Sequence, residues 1–212
     1  AKDLSTVGTG VAAALDETGE PGTSGSYSCY ATSTDGVNWE KPFLGLYEYD
    51  GLMWDGTPIG ADNNILPSID GHLRGPLYHA SEPDPDRRFK GLVYRERNLY
   101  TVASRDCIHW EELDVPPQPS LDVSELYYDD VRDLFISTVK QRALYGRSFY
   151  LSTSEDFENW TEQELIFHAD QTDQENGFER LQRFFDNDDY LTPVYNRPEE
   201  WRTDVYHFPV FR

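Results

Sequence analysis

The side chains able to do chemistry are dispersed along the chain, and none sits in a familiar catalytic signature. Arg74 precedes Gly75-Pro76 in an otherwise apolar run, where its guanidinium could bind a hydroxyl or a carboxylate. His72 and His79 flank it. Asp62 leads Asn63-Asn64, a run that either caps a loop or presents an acid. Asp170, Asp173 and Glu175 form a later acidic group, suited to a polar loop or to the lining of a site. The run Asp186-Asn-Asp-Asp189 resembles part of a Ca²⁺ loop but lacks the glycine and distal glutamate of an EF-hand, so it reads as a hairpin turn. There is no Gly-rich phosphate loop, no Gly-x-Ser-x-Gly and no His-Glu-x-x-His, which argues against a triad hydrolase or a zincin. Cys29 and Cys107 are too few for a disulfide framework or a zinc cage and read as free thiols. No metal and no cofactor is expected.

The elements that must position these groups are announced by a repeat. Ser33-Thr-Asp35-Gly-Val-Asn-Trp39, Ser104-Arg-Asp106-Cys-Ile-His-Trp110 and Ser154-Glu-Asp156-Phe-Glu-Asn-Trp160 share the pattern Ser-x-Asp-x-x-x-Trp without a gap, and they hold three of the five tryptophans. Before each serine lies an aromatic, β-rich run: Tyr27 to Thr32, Leu99 to Ala103 and Ser148 to Thr153. Its alternation predicts a strand. Serine and aspartate side chains can accept from the backbone N–H groups just ahead and so build a tight turn. The tryptophan then opens the next strand and covers the turn. Upstream of the turns lies a second recurring element, an acidic hairpin: Leu15 to Glu20, Glu82 to Arg88, Tyr127 to Asp133 and Phe184 to Asp189.

The unit is therefore strand, acidic hairpin, strand, loop, strand, Ser-x-Asp turn, strand. Four antiparallel strands in about 50 to 70 residues describe a propeller blade. The expected fold is all-β, a β-propeller of four-stranded antiparallel blades with almost no long helix. It forms one partial unit over 1–212: blade 1 at about 6–50, blade 2 at about 60–118, blade 3 at about 120–168 and the start of blade 4 at about 175–212. About three and a half blades cannot close a ring, and repeats need neighbours to bury their faces. Either the chain is a piece of a longer protein, or a homo-oligomer completes the ring.

Composition narrows the partners. Eighteen basic against 39 acidic residues give a net charge of −21, and only four of the basic residues are lysine. A field this negative repels phosphate, so nucleic acid is not an expected partner. Aromatics at 14% argue against a disordered acidic tail. No run approaches 18 apolar residues, so no membrane span is expected. An acid-rich, lysine-poor surface suits concentrated salt, which screens self-repulsion. The expectation is halophilic adaptation, in the cytoplasm of a halophile or outside the cell with the signal already absent.

With these turns and blades the sequence resembles the five-bladed β-propeller glycoside hydrolases, the invertase/levanase-like and arabinanase/xylosidase-like enzymes. The resemblance implies a hydrolase acting on carbohydrate through carboxylates at the inner ends of the first strands of successive blades. One carboxylic acid protonates the leaving oxygen, and a second group attacks or activates water. The family's Arg-Asp-Pro aligns with Arg74-Gly75-Pro76, where glycine replaces the carboxylate and Asp70 or Asp62 is the nearest substitute. The family's Glu-Cys-Pro-Asp-Leu-Phe resembles Asp122-Val-Ser-Glu125-Leu-Tyr127, making Asp122 the acid position and Glu125 its neighbour. The first-blade aspartate has no clear counterpart; Asp3 is the acid nearest its place. Arg74, His72 and Asp173 are the implied substrate-binding residues. The alternative is a noncatalytic propeller that binds carbohydrate or protein.

Overall fold

In a computed structural model of the chain, residues 4–11, 26–53, 55–66, 71–122, 124–186 and 202–208 are described. They are predominantly antiparallel β-structure. The first group of strands is β1 (Leu4–Val11), β2 (Ser26–Ser33), β3 (Tyr49–Leu52) and β4 (Pro58–Gly60). Next come β5 (His72–Tyr78), β6 (Phe89–Arg95), β7 (Asn98–Ser104), β8 (Trp110–Glu112) and β9 (Gln118–Pro119). The last are β10 (Ser124–Asp129), β11 (Leu134–Ala143), β12 (Gly146–Ser154) and β13 (Glu164–Phe167), followed by one α-helix, α1 (Gln171–Phe185).

The two complete units are the ones the repeat marks out. Strands β5-β6-β7-β8 form one antiparallel meander, with β9 added to the free part of β7, and β10-β11-β12-β13 form the other. The first unit is smaller. Strand β1 pairs with β2, the far edge of β2 bridges to Glu40 and Ile65, and β3-β4 is a separate hairpin. Two of the acidic connections, Glu82 to Arg88 and Tyr127 to Asp133, form turns as expected. Asp84 caps a 3-10 turn at Pro85–Arg87 by accepting from the Asp86 N–H at 3.0 Å. Asp129 accepts from the N–H groups of Val131 and Arg132 at 3.0 and 3.2 Å. The Leu15 to Glu20 connection lies outside the described residues.

Alternation along the strands makes each sheet two-faced, and the sheets stack in chain order. One face of β5–β8 presents Leu73, Val93, Val102 and Trp110, packed with Tyr30 and Leu66 of the first unit. Its other face presents Leu92 and Leu99, which meet Leu126, Phe135 and Val139 of the next sheet. Burying one such side chain stabilises by about 1.5–3 kcal/mol. Residues 202–208 then cross the far face of β10–β13. Phe208 lies 5.0 Å from the ring of Phe167, and the Val205 N–H donates to Arg147 O at 3.1 Å.

The second and third Ser-x-Asp turns each plug one of these cores, whereas the first is exposed. In the second, Asp106 Oδ1 accepts from the N–H groups of Ile108 and His109 at 3.0 and 2.8 Å, and the Cys107 N–H donates to Ser104 Oγ at 3.0 Å. The first and third turns repeat the aspartate pattern through Val37 and Asn38, and through Glu158 and Asn159. The residue after each aspartate has positive φ: Gly36 at 75°, Cys107 at 65° and Phe157 at 67°. Cysteine and phenylalanine tolerate this strained backbone because their side chains fill the core, at 1% and 0% exposure. Burial lifts the Cys107 thiol to about 12, which leaves it unreactive.

The turns carry a pH signature. Burial works against ionisation of Asp106, but the His109 backbone N–H, the His109 ring and the Ile108 N–H outweigh it and bring the carboxyl down to about 2. Asp35 and Asp156 are lowered by the same geometry, chiefly by the backbone N–H groups of Asn38 and Asn159. An unfolded aspartate takes its proton near pH ~3.9. The contribution of these turns is therefore complete above that value and is lost as pH falls toward about 2. Urea melts at stepped pH should show unfolding free energy dropping through this window. Asp106→Asn keeps the acceptor oxygen and should flatten that slope; an unchanged slope would contradict the assignment.

Helix α1 corrects the expectation of an acidic hairpin from Phe184 to Asp189 and of negligible helix. Phe184 and Phe185 belong to its last turn and Asp186 is its C-cap; 187–189 lie outside the described residues. The helix starts with a capping box. Asp170 accepts from the Asp173 N–H at 3.0 Å, and Asp173 accepts from the Asp170 N–H at 2.9 Å. Gly177 lets Thr203 pack directly on the helix, and Gln174 exchanges two hydrogen bonds with the Thr203 backbone at 2.7 and 2.9 Å.

The lysines are mostly internal. Lys90 and Lys140 are fully buried and paired with Glu82 at 2.8 Å and Asp122 at 2.6 Å. The Lys90 ammonium also lies 4.8 Å from the Phe157 ring centroid. Among the described lysines that leaves Lys41 alone at the surface. Thermal midpoints should therefore rise between about 0.1 and 2 M KCl, as the Debye length contracts from ~10 to ~2–3 Å. A midpoint that stays flat or falls would contradict salt-dependent stability. Among the described residues no helix is long and apolar enough to cross a membrane.

Candidate functional site

Strands β5 and β10 lead their sheets and approach each other closely. A Cβ on Gly75 would fall 2.5 Å from Leu126 N and 2.7 Å from Leu126 Cβ, and Gly75 itself has φ +52°. The glycine is thus required by the contact between neighbouring sheets. No side chain, acidic or otherwise, fits where it stands.

Around this contact the structure gathers several of the residues singled out from sequence. His72 and Arg74 alternate with Leu73 on β5 and face the β10–β13 sheet. His72 Nδ1 and Arg74 Nε are buried without hydrogen-bond partners. Burial and then the Arg74 charge push the His72 ring down, which favours the neutral imidazole. Tyr94 pairs with His72 across the strands, with ring centroids 6.3 Å apart, and its hydroxyl donates to Leu121 O. Burial and then the Asp122 carboxylate raise the Tyr94 phenol, while Arg97 and Arg74 pull the other way. Asp122, just ahead of β10, therefore shares this neighbourhood.

Beyond Asp122 the polar network continues onto the far face of the third sheet. Lys140 bonds Asp122 at 2.6 Å and sits 4.1 Å from the Tyr206 ring centroid. Arg147 holds Asp204 through both carboxylate oxygens at 2.8–3.0 Å. Burial opposes ionisation of Asp204, but this guanidinium outweighs it and lowers the carboxyl. Glu125 on β10 meets His207 Nε2 at 2.9 Å. Each of these pairs except Lys140–Asp122 ties a sheet residue to the segment 202–208.

Other candidates lie elsewhere. Asp62 is exposed on the loop after β4. Its neighbours do structural work: Asn63 Nδ2 donates to Tyr47 O and Gly60 O, and Asn64 Nδ2 donates to Tyr30 O. Asp173 is committed to the capping box of α1. His79 packs on Tyr128 and Phe135 at the other end of β5. Asp70 lies outside the described residues. Sequence reasoning passed over Tyr94, Lys140, Arg147, Tyr206 and His207. One signal was available, because a lysine within Thr138-Val-Lys140 is conspicuous in a chain with four lysines.

The arrangement offers one carboxylate, Asp122, near the Arg74 guanidinium and a neutral imidazole, while Glu125 on β10 alternates with Leu126 and turns to His207 on the far face. That set can hold hydroxyl groups from several sides and can move a proton. Among the described residues no group of three or more metal-ligating side chains comes together.

Comparison with known proteins adds little. No family model matches the chain, and no curated protein matches it. Among solved structures, the crystal structure of an N-acetylgalactosamine deacetylase from F. plautii in complex with blood group B trisaccharide is similar at 19% identity and a TM-score of 0.41. The match covers 66% of this chain and 44% of that one, so the chain spans less than half its length. A likeness this low assigns no activity.

Proposed function

We propose that the chain is part of a β-propeller of the glycoside-hydrolase type, acting on a saccharide where β5 and β10 meet. The observation that carries this reading is the approach of His72 and Arg74 on β5 to Asp122, just ahead of β10, with Glu125 three residues further on. They lie on, or just ahead of, the leading strands of sheets that carry the same Ser-x-Asp turns. In this reading the sheets are blades, and a longer chain or a second copy completes the ring. Arg74 and His72 hold sugar hydroxyls. Of Asp122 and Glu125, one protonates the glycosidic oxygen and the other attacks or activates water.

A second reading has its own observation. The β5 position that carries a carboxylate in the hydrolases is Gly75, and it has no room for one. On that ground the site would bind a saccharide without cleaving it. Incubating the purified chain with a glycan panel in molar salt and assaying reducing ends separates the two. Release of reducing sugar supports hydrolysis, and retention without release supports a binding module. Neither binding nor release from any glycan would rule out both.

A further inference from the structure

A groove of about 370 Å³ lies away from β5 and β10, between the Val115–Pro119 connection and residues 158–163 of the third turn. Gln118 lines it and is only 7% exposed, yet neither its amide Nε2 nor its Oε1 has a hydrogen-bond partner. Trp160 lines it too, and its Nε1 is likewise buried and unpartnered. The equivalent indoles are satisfied within their turns: Trp39 Nε1 donates to Gly36 O at 3.3 Å and Trp110 Nε1 to Cys107 O at 3.0 Å. Two orphaned polar groups in one place are costly, and native structures seldom keep them without a use. The rim is held in shape, because Gln141 and Gln163 both donate to Pro119 O, at 2.7 and 3.0 Å.

We infer that this groove is a separate binding site for an uncharged saccharide. The indole offers a flat apolar face for the C–H side of a sugar ring, and a turn of the ring that uncovers its N–H adds a donor. A rotation of the Gln118 side chain brings a donor and an acceptor together into the groove, which matches a pair of adjacent hydroxyls. Glu158 and Glu162 on the lining, in a chain of net charge −21, select against anionic ligands. The site does not depend on hydrolysis at β5 and β10.

Ligand-observed saturation-transfer NMR on the full chain, with neutral gluco-, xylo-, arabino- and galacto-oligosaccharides, tests this. At least one should bind, and Gln118→Leu should weaken it by about tenfold or more. The amide has no partner to lose, so the melting temperature of Gln118→Leu should be unchanged or higher, which excludes unfolding as the cause. Trp160→Phe should weaken the same ligand, whereas Arg74→Ala should leave it bound. Absence of binding by every neutral sugar would overturn the inference. So would affinity that survives Gln118→Leu, or loss of all binding with Arg74→Ala.

Discussion

Gly75→Ala should destabilise the protein by roughly 2–5 kcal/mol, the sum of a left-handed backbone cost and an overpacking cost. Both come from geometry. The residue has φ +52°, and its added methyl would press on the backbone of Leu126 rather than on a flexible side chain. Relief requires β5 and β10 to part, which opens the core shared by Leu92, Leu99, Leu126 and Val139. Gly36→Ala is the control. It also has positive φ, at +75°, but nothing lies within 4 Å, so only the conformational part, about 1 kcal/mol, should be lost. Gly75→Asp should fare no better than alanine and should add no activity. Urea melts that put Gly75→Ala and Gly36→Ala at equal cost would show that the two sheets are not in this contact.

Asp122→Asn and Glu125→Gln should each reduce turnover of a hydrolysed glycan by about 10²-fold or more, with the larger loss at the general acid. The two changes differ structurally. Asp122→Asn removes the charge opposite Lys140, which is fully buried, and should also lower stability. Glu125→Gln faces His207, itself about half exposed, and should leave stability near that of the parent. Initial rates alongside melting temperatures separate the effects. Full activity in both variants would remove these carboxylates from the chemistry.

The repeat made the sheets legible because it fixes backbone chemistry locally. A serine and an aspartate two residues apart satisfy the N–H groups of one turn wherever they occur, so three copies announced three equivalent strand endings. Helix α1 was missed although its capping box was in plain sight. Asp170 and Asp173 were weighed as acids rather than as acceptors for backbone N–H groups. The exposed Phe178 and Phe184 show how little deep burial this helix has to announce it. At the site, the resemblance to the propeller hydrolases implied Asp122 and Glu125, and Arg74 and His72 stood out beside Gly75-Pro76 in an apolar run. Lys140 was readable only as an odd lysine in an apolar strand, and Tyr206 and His207 were not readable, because they come from a segment about 80 residues further on. Gly75 was legible as a departure from the family, but its cause was not. Only the approach of Leu126 explains why a glycine must stand there.

The most direct test of a saccharide site at β5 and β10 is a backbone chemical-shift map of the full chain titrated in molar salt with a glycan that it retains or cleaves. Apart from any perturbations at the Gln118 groove, the account predicts a set centred on His72, Arg74, Tyr94 and Asp122, lost in Arg74→Ala. Perturbations confined to residues distant from β5 and β10, or a set there that persists unchanged in Arg74→Ala, would contradict it.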